Sequence, residues 1–441
     1  MTDSAAGSSG VVAGASGGAD PQLRTWQVRI FFSLWTAYAA YYLCRVNFAV
    51  AQPEIERELG WSSSMIGWIP SIYAAFYALG QFINGQLGER LGARRMMTAA
   101  LFVAACTNLA LSVVSSFPAM LAIWAVNGYA QSAGWSLVVK TISEWTTSRR
   151  RGMVIGLIST CYQIGNVVSW LLAGWLCSTG WGWRSAFWVP GLALLPIAAA
   201  FVLLVRNRPG DAGFAQVRDD VAAAGSDAGG RPAAARLGGW EVLRITLANR
   251  TLWILGLGYF CMNSVRYFFM NWAVQYMKDF HHRSIKGSAF TAVALPLIGA
   301  VGAVSAGWAS DAWFGKRRAP LCAIMLFGVA GVCVAFVRIP AGEWVGATAM
   351  LGLAGFLIFG PDMLMSGAAT IDVSHPQTAA AATGFTMAMG ATGAILSGAG
   401  VGALKDAAGG EWTAIFYAVA GLSAVSALLM VSIWNARPKG A

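Results

Sequence analysis

Twelve stretches of mostly apolar residues follow one another along the chain, at about 29–51, 64–87, 96–114, 118–141, 153–176, 184–205, 251–276, 287–309, 320–337, 344–370, 380–404 and 411–434. Each is close to the length of about 20 residues that an α-helix needs to cross bilayer hydrocarbon. Lipid offers no partners to backbone N–H and C=O groups, so such segments are confined to helices that satisfy their own hydrogen bonds. Composition agrees: 57% of residues are hydrophobic and 11% charged, against roughly 25% charged in soluble domains. The expectation is an all-α membrane protein with twelve transmembrane helices in two six-helix bundles.

A polar stretch at 206–250 divides the sixth helix from the seventh. It is too poor in large apolar residues to fold alone, and reads as a cytoplasmic linker with a surface helix around Trp240 to Leu247. The bundles then occupy 26–205 and 251–436, with tails at 1–25 and 437–441. The first tail is rich in Gly, Ala and Ser. It lacks a basic region followed by an apolar core, and reads as disordered rather than as a secretory signal.

The basic residues set orientation. Of the 30 Lys and Arg, 20 fall on segments sharing a side with both termini and 7 on the opposite loops. This places both termini in the cytoplasm of a cell whose inner (plasma) membrane the chain spans many times. The net charge of +11 is therefore a topology signal and not a nucleic-acid footprint. The seven cysteines, 44, 106, 161, 177, 261, 322 and 333, fall in or at the ends of helices without a CxxC pair. The three histidines have no ligand spacing, so no metal or disulfide is expected. A GxxxxGKS loop is absent, so primary ATP-driven transport is unsupported, and no constellation of catalytic side chains suggests an enzyme or a cofactor. A monomer is the default.

Against this background two residues stand out. Arg45 lies in the first apolar stretch and Arg266 in the seventh. A guanidinium deep in a bilayer costs about 2.5–3.5 kcal/mol on insertion scales, so it marks a function. The positions are 221 residues apart. A second pair of landmarks has nearly the same spacing: Gly85, Glu89, Arg90, Arg94 and Arg95 after the second helix, and Gly307, Asp311 and Arg317 after the eighth, with 222 residues between the glycines. The agreement argues for duplicated, parallel halves with a site near the midplane between them. In the repeated loops the glycine permits close helix approach, the acid can accept hydrogen bonds, and the arginines can pair across the cytoplasmic face. These are the expected gating residues.

Helical spacing places Tyr38, Tyr41, Tyr42 and Arg45 on one face. Tyr259, Asn263, Arg266 and Met270 share another, as do Tyr73, Tyr77, Gln81 and Asn84, and Ser159, Tyr162, Gln163 and Asn166. Such faces belong against a cavity or the bundle interior. The expected substrate residues are Arg45, Arg266, Tyr38, Tyr42, Gln81, Tyr162 and Asn263. A guanidinium fork suits phosphate or carboxylate. Two of them facing each other suit an oxyanion shared between halves, and an anion that neutralises them permits the halves to swing. Lys140, four residues before Glu144, reads as a salt bridge or an interfacial side chain, with a role in guiding anions as the alternative.

The segment Tyr38-Ala-Ala-Tyr-Tyr-Leu-Cys-Arg-Val-Asn-Phe-Ala49 resembles the first helix of the organophosphate:phosphate antiporters of the major facilitator superfamily, such as the glycerol-3-phosphate and hexose-phosphate transporters. Arg266-Tyr-Phe-Phe-Met-Asn-Trp272 is similar to their seventh helix, and further likeness lies in Asn127–Trp135, Gly360–Leu364 and Ser374–Phe385. The resemblance implies the major facilitator fold, two phosphate-binding arginines at Arg45 and Arg266, and entry of an organophosphate against inorganic phosphate. The chain departs from the pattern at Val46 and Gln81, where the family carries lysine, at Tyr162, where one branch has histidine, and at Asp362, an added acid. Two alternatives follow. One is a less negative or zwitterionic substrate, such as a phosphonate or carboxylate. The other is proton coupling through Asp362, pairing with a neighbouring helix being its bland reading. A membrane sensor of external sugar phosphate is a third, since the family includes such receptors.

Overall fold

The computed structural model describes residues 21–215, 239–315, 317–375 and 378–435. Among these residues every regular element is helical. In chain order they are α1 (Pro21–Leu43), α2 (Asn47–Leu59), α3 (Ser63–Leu91), α4 (Ala93–Val113), α5 (Phe117–Gln131), α6 (Gly134–Trp145), α7 (Ser148–Ile158), α8 (Thr160–Cys177) and α9 (Ser185–Leu204). Then come a 3-10 turn at Pro209–Ala212, α10 (Gly239–Ala248), α11 (Arg250–Asp279), α12 (Ile285–Ala292), α13 (Ala294–Ala312), α14 (Arg318–Phe336), α15 (Trp344–Met363), α16 (Ala369–Val373), α17 (Ala379–Ala407) and α18 (Trp412–Ser432). The short α10 matches the expected surface helix. Most of the linker and both chain ends lie outside the described residues.

The expected spans map onto α1–α2, α3, α4, α5–α6, α7–α8, α9, α11, α12–α13, α14, α15–α16, α17 and α18. Eight are long and apolar enough to cross a membrane by length and composition, beginning with Ala93–Val113 and ending with Trp412–Ser432. The other four are the first, second, fourth and seventh, and there is a physical reason for their exclusion. They are interrupted or carry polar faces, and they bring Arg45, Tyr73, Gln131 and Arg266 into the bundle. Large apolar side chains such as Phe32, Val304 and Trp308 are more than half exposed, a surface that suits lipid and not water.

Two hydrophobic clusters show how the halves meet. One joins the outer ends of the N-terminal half, through Phe48, Ile55, Trp124 and Trp170, to the whole C-terminal half. The other, built on Ile30, Tyr41, Leu101, Leu137 and Phe201, belongs to the N-terminal half alone and lies toward the face where the chain begins. The halves are thus packed together at the far face and parted at the N-terminal face. Small residues make the close packing possible where α3 crosses α17: a Cβ on Gly67 would collide with the backbone of Gly398, and one on Gly402 with that of Ser63. Ser71 Oγ donates to Ile395 O at 2.6 Å and accepts from Ala399 N at 2.7 Å.

Polar side chains latch the same seam. Lys278 Nζ lies 2.7 Å from Glu54 Oε1, and Lys405 Nζ 3.9 Å from Glu56 and 2.9 Å from Asp279. Gln275 bridges Gln52 and Glu56. Asp406 accepts from Ser63 N and Ser64 N at 3.0 and 2.8 Å, capping the start of α3 from the opposite half. Breaking partly buried pairs of this kind costs about 1–3 kcal/mol, between the exposed and buried limits. Lys278→Ala with Lys405→Ala should therefore shift the population toward a state open at this face. Longer distances between spin labels on the ends of α2 and α17 would register it, and unchanged distances would exclude the latch.

Candidate functional site

Arg45 sits where the first span breaks. Cys44, Arg45 and Val46 form a tight turn between α1 and α2, with Arg45 N and Val46 N both donating to Tyr42 O at 3.2 Å. Breaking a helix inside a bundle strands carbonyls, and three amides meet the one at Cys44. Asn127, Gln131 and Asn108 donate to it at 2.9, 3.0 and 3.2 Å. Asn47, at the start of α2, is fixed by Asn108 Oδ1 at 2.9 Å and Ala186 O at 2.8 Å. The turn is thus built to aim Arg45, and its amides come from α4 and α5.

The guanidinium is held on one side only. Its Nε donates to Gln131 Oε1 at 3.0 Å, and the same oxygen accepts from Tyr73 OH at 3.3 Å. The charge lies over the rings of Tyr42 and Tyr77, 4.7 and 4.9 Å from their centroids, and 5.9 Å from that of Tyr73. No carboxylate pairs with it among the described residues, and Nη2 is buried without a partner. An unmet buried donor costs about 1–3 kcal/mol, and an oxyanion would relieve it.

Arg266 is placed differently. It sits within the unbroken α11, and its Nη1 lies 3.1 Å from Asp362 Oδ1 and 3.4 Å from Asn263 Oδ1. Tyr259 OH donates to the same Asp362 oxygen at 3.1 Å. The rings of Tyr267 and Phe359 lie 5.2 and 5.3 Å from the guanidinium. Asp362 thus pairs with a neighbouring helix, the bland reading of that residue. It comes from the end of α15, where Pro361 removes a backbone donor and the chain widens into a π-helical stretch at Leu364–Ala368.

The expected residues assemble across the seam. Tyr42 lies within electrostatic range of both Arg45 and Arg266, and Tyr162 within range of Arg266 and Asp362. The Tyr42 and Tyr162 rings are 6.4 Å apart. Tyr38 is buried against Tyr41, Tyr42 and Trp135, one layer from the guanidinium. Asn263 stands beside Arg266. Gln81 does not join: it is exposed and has no hydrogen bond among the described residues. Two neighbours of the expected faces turn inward instead. Tyr41 OH donates to Met97 O at 3.2 Å, and Asn84 Nδ2 to Ser132 Oγ at 2.8 Å. On α8, both polar atoms of Gln163 and Oδ1 of Asn166 are buried without partners among the described residues.

The loop motifs differ between halves. Asp311 pairs with Arg318 at 2.5 Å, and Arg318 reaches Asp372 at 3.5 Å. The arginine of that cluster is therefore Arg318, at the start of the next helix, because Arg317 turns back to Phe314 O at 3.3 Å. Among the described residues, no neighbour stands within 4 Å of a Cβ position at Gly307, so none of them approaches it closely in this conformation. In the first half, Arg94 Nε donates to Val202 O at 2.6 Å, tying α4 to α9, while Arg90 and Arg95 are exposed. Gly85 and the side chain of Glu89 lie outside the described residues. Lys140 Nζ donates to Gly88 O at 3.3 Å, across to α3.

Sequence reasoning missed Gln131 as a ligand of Arg45 and missed the latch of Glu54, Glu56, Gln275, Lys278, Lys405 and Asp406. The signal for Gln131 was present: a glutamine inside an apolar stretch, near a Ser-Ala-Gly run that ends a helix.

Comparison with known proteins agrees with the fold. The family model described as Major Facilitator Superfamily matches residues 34–398. A probable hexose phosphate transport protein of Chlamydia pneumoniae is 27% identical, covering 94% of this chain and 92% of that relative. The membrane sensor protein UhpC of Salmonella typhimurium is 29% identical over 95% and 94% of the two chains. The glycerol-3-phosphate transporter of Bacillus subtilis is 28% identical over 83% of each. Among solved structures, a bacterial homologue of the human lysosomal transporter Spinster, in an inward-facing and unoccupied conformation, superposes with a TM-score of 0.75. It is 17% identical and covers 96% of this chain and 100% of that one.

An ammonium cannot reproduce the guanidinium fork. Arg45→Lys and Arg266→Lys should each weaken anion binding by about 2–5 kcal/mol, the cost of disrupting a buried, hydrogen-bonded charge. Calorimetric titration of phosphate into the purified variants checks this, and near-normal affinity in either would remove that arginine from the site.

Proposed function

The chain belongs to the Major Facilitator Superfamily, and on that premise we propose that it is a secondary transporter that exchanges an organic phosphate or related organic anion for inorganic phosphate. The observation that carries this reading is Arg45. It is a permanent charge with a buried, unmet Nη2, no carboxylate partner among the described residues, and a cage of tyrosines. A site of that kind is electrostatically incomplete until an anion enters. The relatives named for hexose phosphate and glycerol-3-phosphate support phosphate esters as the class.

The excess of basic residues on the segments that share a side with both termini supports cytoplasmic termini in the inner membrane. In that orientation the halves part toward the cytoplasm, and the latch of Lys278 and Lys405 closes the external face. An anion entering from the cytoplasm would meet Arg45 on the N-terminal half and Arg266 on the other. By drawing both to itself it would favour closure over the chamber, and the latch would open in exchange. The ligand supplies the difference in free energy between the two states, as alternating access requires.

Reconstitution with labelled phosphate tests the reading. Proteoliposomes loaded with phosphate should take up external labelled phosphate by counterflow, and external hexose phosphate or glycerol 3-phosphate should compete. Binding without any exchange would favour a sensor, the role for which the Salmonella relative is named. Uptake that ignores internal phosphate but follows a pH gradient would replace exchange by proton symport.

A further inference from the structure

The two arginines are held by equivalent parts of the two halves, yet the parts differ by one charge. Gln131 is the last residue of α5, at the break in the fourth span of the first half. Asp362 is the penultimate residue of α15, just before the π-helical stretch in the fourth span of the second half. Gln131 Oε1 meets Arg45 at 3.0 Å and Asp362 Oδ1 meets Arg266 at 3.1 Å. Each oxygen also accepts a tyrosine hydroxyl, from Tyr73 in one half and Tyr259 in the other, at 3.3 and 3.1 Å. The arginine and the fourth-span acceptor repeat between the halves, with a neutral amide on one side and a carboxylate on the other, while the tyrosine comes from the second span in the first half (Tyr73 on α3) and from the arginine's own helix in the second (Tyr259 on α11).

Resting on the transport reading above, we infer that Asp362 is a built-in counter-ion that sets the charge of the substrate, so that the site takes monoanions in preference to dianions. Among the described residues, the charged side chains held in this repeat are Arg45, Arg266 and Asp362. With Arg266 neutralised in place, one positive charge is left to be met. A dianion would bring an uncompensated negative charge into a closed, low-dielectric chamber, where such charge is penalised heavily. Asp362 Oδ1 is shared by two donors. Oδ2 has no hydrogen bond among the described residues, so the same carboxylate can also accept from a cationic or hydroxyl group on the substrate. Monoanionic esters and zwitterions carrying a single ammonium therefore fit, and doubly charged phosphate esters fit less well.

Methyl sulfate and methyl phosphate separate these cases, because both are small tetrahedral esters. The sulfate ester is a monoanion throughout, and the phosphate ester is largely a dianion at pH 8, its second pKa being about 6. Binding to the full chain in lipid nanodiscs at pH 8 should favour methyl sulfate in the wild type. Asp362→Asn, which keeps the hydrogen-bonding shape, should move the ratio at least about tenfold toward methyl phosphate, and Asp362→Glu should leave it near the wild-type value. Gln131→Glu should lose anion binding, and adding Asp362→Asn to it should restore binding, since the total charge returns to that of the wild type. A ratio unchanged by Asp362→Asn would overturn the inference while leaving the transport reading intact, as would a wild type that prefers methyl phosphate. Binding of neither ester to any variant would remove both.

Discussion

The organising constraint is that a guanidinium inside a bilayer-spanning bundle must be given partners by the protein or by a ligand. This chain answers in two ways. Arg266 is given a carboxylate from a neighbouring helix, which it shares with Tyr259 of its own helix. Arg45 is given an amide oxygen and the faces of three rings, which orient it and leave its charge unmet. Much of the surrounding architecture serves that second arrangement. The first span breaks at Cys44–Val46, three amides from α4 and α5 hold the stranded Cys44 carbonyl, and α3 brings Tyr73 and Tyr77 over the guanidinium. A helix break of this kind would be a defect if its carbonyl faced lipid. Bound by Asn108, Asn127 and Gln131, it becomes a rigid mount for the charge.

The halves form two cores rather than one. The outer ends share a cluster with the C-terminal half, while the cluster around Tyr41 and Leu137 belongs to the N-terminal half alone. Packed interfaces have discrete arrangements and do not deform continuously. Glycine contacts between α3 and α17 and the Lys278, Lys405 and Asp406 contacts hold one of those arrangements. The Lys278–Glu54 contact among them is polar and partly exposed, so it can be exchanged for another at modest cost. Affinity for the anion and the strength of the latch are then linked, because a ligand can shift the balance only by its differential affinity for the two states.

Much of this was legible in the sequence because membrane helices announce themselves. Arg45 and Arg266 were conspicuous through cost, and Tyr42, Tyr162 and Asn263 through helical spacing from them or within polar faces. Asp362 was visible as an added acid, but its partner was not, since α15 and α11 are about a hundred residues apart in sequence. The latch escaped for the same reason: Glu54, Glu56 and Lys278 look like ordinary charges at helix ends until the two halves are placed together. Periodicity also overreached. Tyr41 and Asn84 share faces with cavity residues on a helical wheel, but their polar atoms are satisfied inside the first bundle. In the second repeated loop the pairing fell to Arg318 and not Arg317, because the residue that opens α14 points back at Asp311 and its neighbour points away. A repeat fixes the spacing of motifs, while single side-chain directions depend on the local turn.

On the proposed reading, an oxyanion completes the coordination of Arg45 at the seam between the halves. The most direct measurement is anomalous diffraction from crystals of the protein soaked in arsenate, a heavier tetrahedral analogue of phosphate. An anomalous peak is expected within hydrogen-bond reach of the Arg45 Nη atoms, on the side facing Arg266. A peak bound elsewhere, or an empty seam at saturating arsenate, would contradict it.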